Sequence, residues 1–181
     1  HGVPRIVTLR HLRADLVDQD YGVAHDHSGE RDDAEDGDEA EWRAGDVSLR
    51  GSAMLLRARR NGSTNAALNG RQPTNVPTRS LKLQAAYNVG AVPGLALIGF
   101  VTHEGRRMVL PDNSVATPGW TRIDLGARFT QRVGAQTLVW RLGLDNATDR
   151  RAWQEAPYQF GHAYLYPLAP RTAHASLAIR F

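Results

Sequence analysis

Residues Thr172 to Phe181 alternate without a break. Ala173, Ala175, Leu177, Ile179 and Phe181 fall on one side, and Thr172, His174, Ser176, Ala178 and Arg180 on the other. Side chains of a strand switch faces with a period of two, so the pattern predicts a strand with one apolar and one mostly polar face. The same alternation recurs upstream. Ser80 to Val89 places Leu81, Leu83, Ala85, Tyr87 and Val89 opposite Lys82, Gln84, Ala86 and Asn88. Trp120 to Thr130 places Ile123, Leu125, Ala127 and Phe129 opposite Arg122, Asp124, Gly126, Arg128 and Thr130. Gln136 to Asp145 places Leu138, Trp140, Leu142 and Leu144 opposite Thr137, Arg141, Gly143 and Asp145. Val47 to Arg59 and Leu95 to His103 also read as strands, the latter apolar on both faces in its middle. Ile6 to Val17 is a possible strand with poor alternation.

The connections alternate in length. Turns at 43–46, 90–94 and 132–135 are short, whereas loops at 61–77, 104–118 and 146–171 are long. Charge sits in the middle of the polar faces, not only at strand ends. Antiparallel strands with short turns at one end and long loops at the other are the layout of an outer-membrane barrel. The fold class expected is therefore all-β, an antiparallel transmembrane β-barrel sector of about six to eight meandering strands. Phe181 would sit at the membrane rim on the short-turn, periplasmic side, where aromatic residues meet the lipid–water boundary. Leu, Phe and Trp side chains would face lipid. Arg122, Asp124, Arg128, Arg141, Asp145 and Arg180 would face the lumen, because charge facing lipid at mid-depth costs ~2–4 kcal/mol.

Composition changes this picture little. Mean hydropathy is −0.43 over 181 residues, and no apolar run approaches the ~20 residues of a membrane helix. Transmembrane strands need only ~10 residues each. The chain has no cysteine, so no disulfide or thiolate metal site. It begins without Met and without a charged-then-apolar leader, as expected of a processed chain or an internal piece.

Charge divides the chain. Residues 18–41 hold 11 of the 19 acids and one base, Arg31. Such a segment, low in apolar residues, is expected to be solvated or disordered. The domain division is therefore an acidic, irregular 1–41 and a barrel portion 42–181. His25 and His27 lie among the acids, but spacing alone does not define a metal site, and none is assigned. The remaining chain is basic, with arginines spread over many elements instead of clustered with aromatics, which argues against nucleic acid. No G-x-S-x-G, H-E-x-x-H or Walker motif is present, and His103-Glu104 points to opposite faces of a strand, so no enzyme activity and no cofactor are expected.

Four segments, in order, resemble the carboxy-terminal barrel of TonB-dependent outer-membrane receptors of the siderophore type. They are Gly70–Pro77 (GRQPTNVP), Pro118–Arg128 (PGWTRIDLGAR), Leu142–Trp153 (LGLDNATDRRAW), and Pro170-Arg171 with the terminal strand ending in Phe181. The resemblance runs from about Trp42 to Phe181. It implies a barrel of about 22 strands closed by an amino-terminal plug. It also implies import of ferric siderophores or similar metal chelates, with energy from the TonB complex acting through a plug absent from this sequence, and a location in the outer membrane of a Gram-negative cell. Ligand would then meet the outer loops at Arg106, Arg107, Arg150, Arg151, Trp153, Tyr158, Phe160 and His162. Arginine suits anionic chelates and aromatic rings suit flat ones. Tyr164 and Tyr166 are further candidates, although they and Trp153 equally suit an outer aromatic girdle. Arg122 and Asp124 are expected to pair with neighbouring strands. Two other readings are a small self-closed outer-membrane barrel and a soluble β-barrel or sandwich that binds a ligand.

Overall fold

The structure, a computed structural model, describes residues 5–7 and 35–181. Eight strands form one antiparallel sheet in sequence order. They are β1 (Arg5–Val7), β2 (Glu35–Ala44), β3 (Val47–Leu56), β4 (Arg79–Asn88), β5 (Leu95–Glu104), β8 (Trp120–Val133), β9 (Gln136–Asp145) and β14 (Thr172–Arg180). Short pairs lie within the loops. β6 (Arg107–Met108) pairs with β7 (Ala116–Thr117), β10 (Trp153–Glu155) with β13 (Tyr166–Pro167), and β11 (Tyr158–Gln159) with β12 (His162–Ala163). Each strand of the sheet pairs with its sequence neighbour in the sheet, and β1 and β14 are the two edges.

Register fixes which residues share a face. Leu83 lies opposite Gly51 and Val101, Val101 opposite Ile123, Leu125 opposite Leu144, and Leu144 opposite Ala173. Since alternation is preserved along each ladder, this face carries Val47, Leu49, Leu55, Leu81, Tyr87, Leu97, Leu125, Phe129, Trp140, Leu142, Leu177 and Ile179. Most of these side chains are open, with Leu55 at 63%, Leu142 at 60% and Leu125 at 51% exposure, whereas Val47, Leu49 and Phe129 are half-buried. A contiguous exposed apolar face of this size needs a partner phase or surface. The strands of nine to fourteen residues match the length that crosses a bilayer at a tilt.

The hairpins explain the short turns. Ala44 faces Val47 and Val133 faces Gln136, so two-residue turns join these strands. Gly45 (φ +55°) and Gly134 (φ +61°) supply the left-handed backbone those turns require. The third short connection, 89–94, ends at Gly94 (φ +88°), whose carbonyl accepts from Thr130 N at 2.9 Å.

The boundaries of three strands differ from expectation by more than one residue. β3 ends at Leu56, short of the expected Arg59. β8 extends to Val133, because its hairpin to β9 keeps pairing through Arg132–Thr137 and Val133–Gln136. β2 starts at Glu35, so strand begins inside the acidic run expected to be irregular up to residue 41; Glu35 to Glu41 pair with Leu56 to Arg50 of β3. A strand with a ready ladder partner tolerates polar residues that its composition alone would disfavour. The rest of that run, with His25 and His27, and the possible strand from residue 8 to Val17 lie outside the described residues.

The buried core does not lie between two sheets. Its apolar members are Ala96, Trp120 and Val139 on the polar face, and Met108, Val109, Ala156 and Leu168 in the long loops. Most of the burial is therefore at the loop end.

Candidate functional site

The three long loops are not independent excursions. Each loop contributes residues to one packed cluster above the polar face. In the first loop, Asn75 adopts φ +61°, a left-handed conformation that asparagine tolerates. Its backbone N donates to Met108 O at 2.8 Å, and its side-chain Oδ1 accepts from Ala156 N at 2.6 Å and from Arg107 Nη1 at 3.2 Å. One asparagine thus ties the first, second and third loops together. Bridges between Thr74 and Met108 and between Pro77 and Arg107 reinforce the seam. Further out, Asn113 Oδ1 accepts from Gln72 N at 2.7 Å and Asn113 Nδ2 donates to Gln72 O at 2.9 Å.

Arg107 lies at the centre of the cluster. It is 6% exposed and its guanidinium pairs with Glu104 as well as Asn75. Burial pushes its pKa below the ordinary arginine value, while the nearby Glu155 carboxylate opposes that shift. Expected to meet ligand, Arg107 is turned inward as a clamp between loops. Arg106, next to it, is exposed, with one guanidinium nitrogen 3.6 Å from Met108 Sδ.

The third loop is anchored by Asn146, which is 1% exposed. Its backbone N donates to Asp124 Oδ1 at 2.7 Å, its Nδ2 donates to Arg150 O at 3.0 Å and Ala169 O at 2.9 Å, and its Oδ1 accepts from Arg150 N at 2.8 Å. Asp124 Oδ2 accepts from Arg122 Nε at 3.0 Å. Arg122 and Asp124 were expected to pair with neighbouring strands. They pair with each other, because residues two apart on one strand project side by side.

From this anchor the loop rises as two nested hairpins. Trp153 faces Pro167 and Glu155 faces Tyr166 in the lower one, and Tyr158 faces Ala163 and Gln159 faces His162 in the upper one. Phe160 (φ +52°) and Gly161 (φ +80°) form the tip, with Phe160 83% exposed. The arm carries Trp153, Tyr158, Phe160, His162, Tyr164 and Tyr166. Trp153, Tyr164 and Tyr166 therefore stand on a loop hairpin and not in the strands of the wall, where a girdle would place them. Arg150 and Arg151 are exposed at its base.

By register, Arg122, Asp124, Arg128, Arg141, Asp145 and Arg180 share the polar face. His174, which has no acid partner evident in the sequence, lies over Gly143 with its Nε2 3.6 Å from Asp145 Oδ2. Sequence reasoning missed Asn75 and Glu104 as anchors. The signal available for Asn75 was an asparagine between two prolines in a loop, a residue type suited to a left-handed turn.

No family model matches the chain. It is 29% identical over 133 residues to the ferrichrome receptor FcuA of Yersinia enterocolitica, covering 74% of this chain and 17% of that protein. It superimposes on the ferric preacinetobactin receptor BauA of Acinetobacter baumannii with a TM-score of 0.69 and 25% identity, covering 79% of this chain and 21% of that one. The ferric yersiniabactin uptake receptor FyuA of Yersinia pestis shares the fold, with a TM-score of 0.65, 18% identity, and coverage of 81% and 23%. The chain therefore spans between 17% and 23% of the length of these relatives.

Proposed function

We propose that this chain, a portion of an outer-membrane barrel of the siderophore-receptor kind, is the carboxy-terminal wall of a receptor that captures ferric siderophores or similar metal chelates at its outer loops. The whole protein would release its cargo inward with energy from the TonB complex, acting through parts of the receptor beyond this chain. The observation that carries the reading is the loop cluster itself. Three outer loops are locked through Asn75 and Arg107, and they hold an aromatic arm open to solvent.

The arm offers two kinds of contact. Trp153, Tyr158 and Phe160 present ring faces for flat organic chelators, and such rings prefer stacked or edge-on partners. Arg106, Arg150 and Arg151 present guanidinium groups that grip carboxylate or catecholate oxygens bidentately. His162 adds an imidazole whose ring nitrogens can donate or accept a hydrogen bond. Arg107 belongs to the scaffold beneath, so it acts on ligand through the loops it holds.

Growth tests the reading. The whole receptor, expressed in an iron-starved Gram-negative host stripped of its own siderophore receptors, should restore growth on at least one ferric chelate from a panel. Replacing residues 153–167 by a short Gly-Ser turn should abolish that growth while the barrel still reaches the outer membrane. Growth unaffected by loss of the arm would remove the arm from ligand capture.

A further inference from the structure

The first long loop contains two Asn-Gly pairs, Asn61-Gly62 and Asn69-Gly70. An asparagine before glycine can close on the backbone, because glycine has no Cβ to shield its nitrogen. The two pairs look alike at first. All four residues are exposed, and both glycines hold left-handed backbone, at φ +71° and +76°. Both pairs lie in a run, 57–78, that carries four arginines and no acid.

Hydrogen bonding separates them. Gly70 N donates to Arg60 O at 2.8 Å, and Asn69 Oδ1 accepts from Ser63 N at 2.9 Å. Nucleophile and electrophile of the second pair are therefore both held. Asn69 is also fixed in extended backbone, at φ −65° and ψ 139°. Closing a five-membered ring needs the next residue's nitrogen eclipsed with Cβ, and an extended ψ turns it away. At the first pair, neither Gly62 N nor the Asn61 side chain makes a hydrogen bond among the described residues. Other asparagines that precede small residues are held as well. Asn65 Oδ1 accepts from Ala67 N, Asn113 is paired with Gln72, and beside the buried Asn146 the Ala147 N donates to Ile123 O.

From this we infer that Asn61-Gly62 is a site of spontaneous backbone modification, which leaves an aspartyl or isoaspartyl residue at position 61. Gly62 N gives its proton to solvent base and attacks Asn61 Cγ. The N–Cγ bond forms, the Cγ–Nδ2 bond breaks, and the departing amide takes a proton from water and leaves as ammonia. Water then adds to either carbonyl of the resulting succinimide and opens the ring. The chain is rejoined through the α- or the β-carboxyl, and the other becomes a free carboxylate. Exposed Arg59 and half-buried Arg60 adjoin the pair. Their charge favours both the anionic nitrogen that attacks and the carboxylate that results. Each conversion places one carboxylate in a run that has none.

Cleavage by trypsin after Arg60 and Arg71 releases both pairs in one peptide, 61–71, so each pair is the other's control. The full-length protein, folded into lipid vesicles, is incubated at mildly alkaline pH and digested under mildly acidic conditions. Tandem mass spectrometry then reads amide-to-acid exchange at each asparagine. Conversion at Asn61 should outpace that at Asn69 by about fivefold or more, the factor that one held hydrogen bond supplies. In a synthetic 61–71 peptide, where neither pair is held, the two should convert at comparable rates. Unfolding the protein in urea should likewise bring Asn69 up to the rate of Asn61. Asn61→Gln should end conversion at 61, since its longer side chain no longer forms the five-membered ring, and leave Asn69 as slow as before. Equal rates in the folded protein overturn the inference. So does an Asn61 that survives in the folded protein while it converts in the peptide. Ferric-chelate binding does not enter this readout, so loss of the receptor reading would leave the result standing.

Discussion

Asn146 shows how much one buried side chain can hold. It makes three side-chain hydrogen bonds to backbone groups of Arg150 and Ala169 while its own N–H reaches Asp124. Its φ of +49° is one that asparagine accepts more readily than most residues. Asn146→Ala would leave buried backbone groups unpaired, at about 3 kcal/mol, and should expose 147–169 to protease before the wall unfolds. Asn146→Asp keeps the acceptor and removes both donors, so it should release Ala169 while retaining the turn at Arg150. A milder effect operates at Asp112. Hydrogen bonds from the Ser114 N–H and hydroxyl hold its carboxyl below the ordinary 3.8. A depressed carboxyl stabilises the fold above its unfolded pKa and loses that contribution as pH falls through the folded one. The second loop should therefore hold its geometry at neutral pH and loosen only in strong acid, below about pH 4. Ser114→Ala should raise the Asp112 titration midpoint, read by carboxyl NMR.

At the scale of elements, the wall was legible and the loops were not. Leu138, Trp140, Leu142 and Leu144 name the face of β9 directly, because alternation is a local property with a period of two. The glycines at 45 and 134 mark hairpins for an equally local reason. The aromatic arm left no such trace. Its strands are two or three residues long, and its nested pairing brings Trp153 to Pro167, fourteen positions along. Asn75 reaches Ala156 across still more chain, and no pattern within either loop reports that meeting. Register also hid the role of Arg107, since a basic loop residue looks the same whether it faces ligand or a half-buried glutamate. Gly94 falls between these cases. A glycine in a turn is expected, but only the structure shows that a Cβ there would overlap the Thr130 carbonyl. Gly94→Ala should destabilise the β4–β5 hairpin by at least ~1–2 kcal/mol from the positive φ alone, seen as faster hydrogen exchange at Thr130.

For the molecule as a whole, the two faces of the sheet make opposite demands on their surroundings, and that difference can be tested with a pair of substitutions one residue apart. Leu142 is 60% exposed on the apolar face, and Arg141 is exposed on the polar one. In a soluble sandwich the apolar face would be packed on a second sheet, and a charge at residue 142 would disrupt a core. In a barrel it meets hydrocarbon, and Leu142→Arg near mid-depth costs ~2–4 kcal/mol. Arg141→Leu removes a charge from the polar face, which in a barrel leaves lipid contacts untouched. With the full-length protein folded into lipid vesicles, Leu142→Arg should lower stability by that amount, and the penalty should shrink when arginine is moved to residue 138, nearer the short-turn rim. Arg141→Leu should leave insertion intact. A penalty at residue 142 that did not vary with depth along β9 would point to packing against protein, and the apolar face would then have a partner other than lipid.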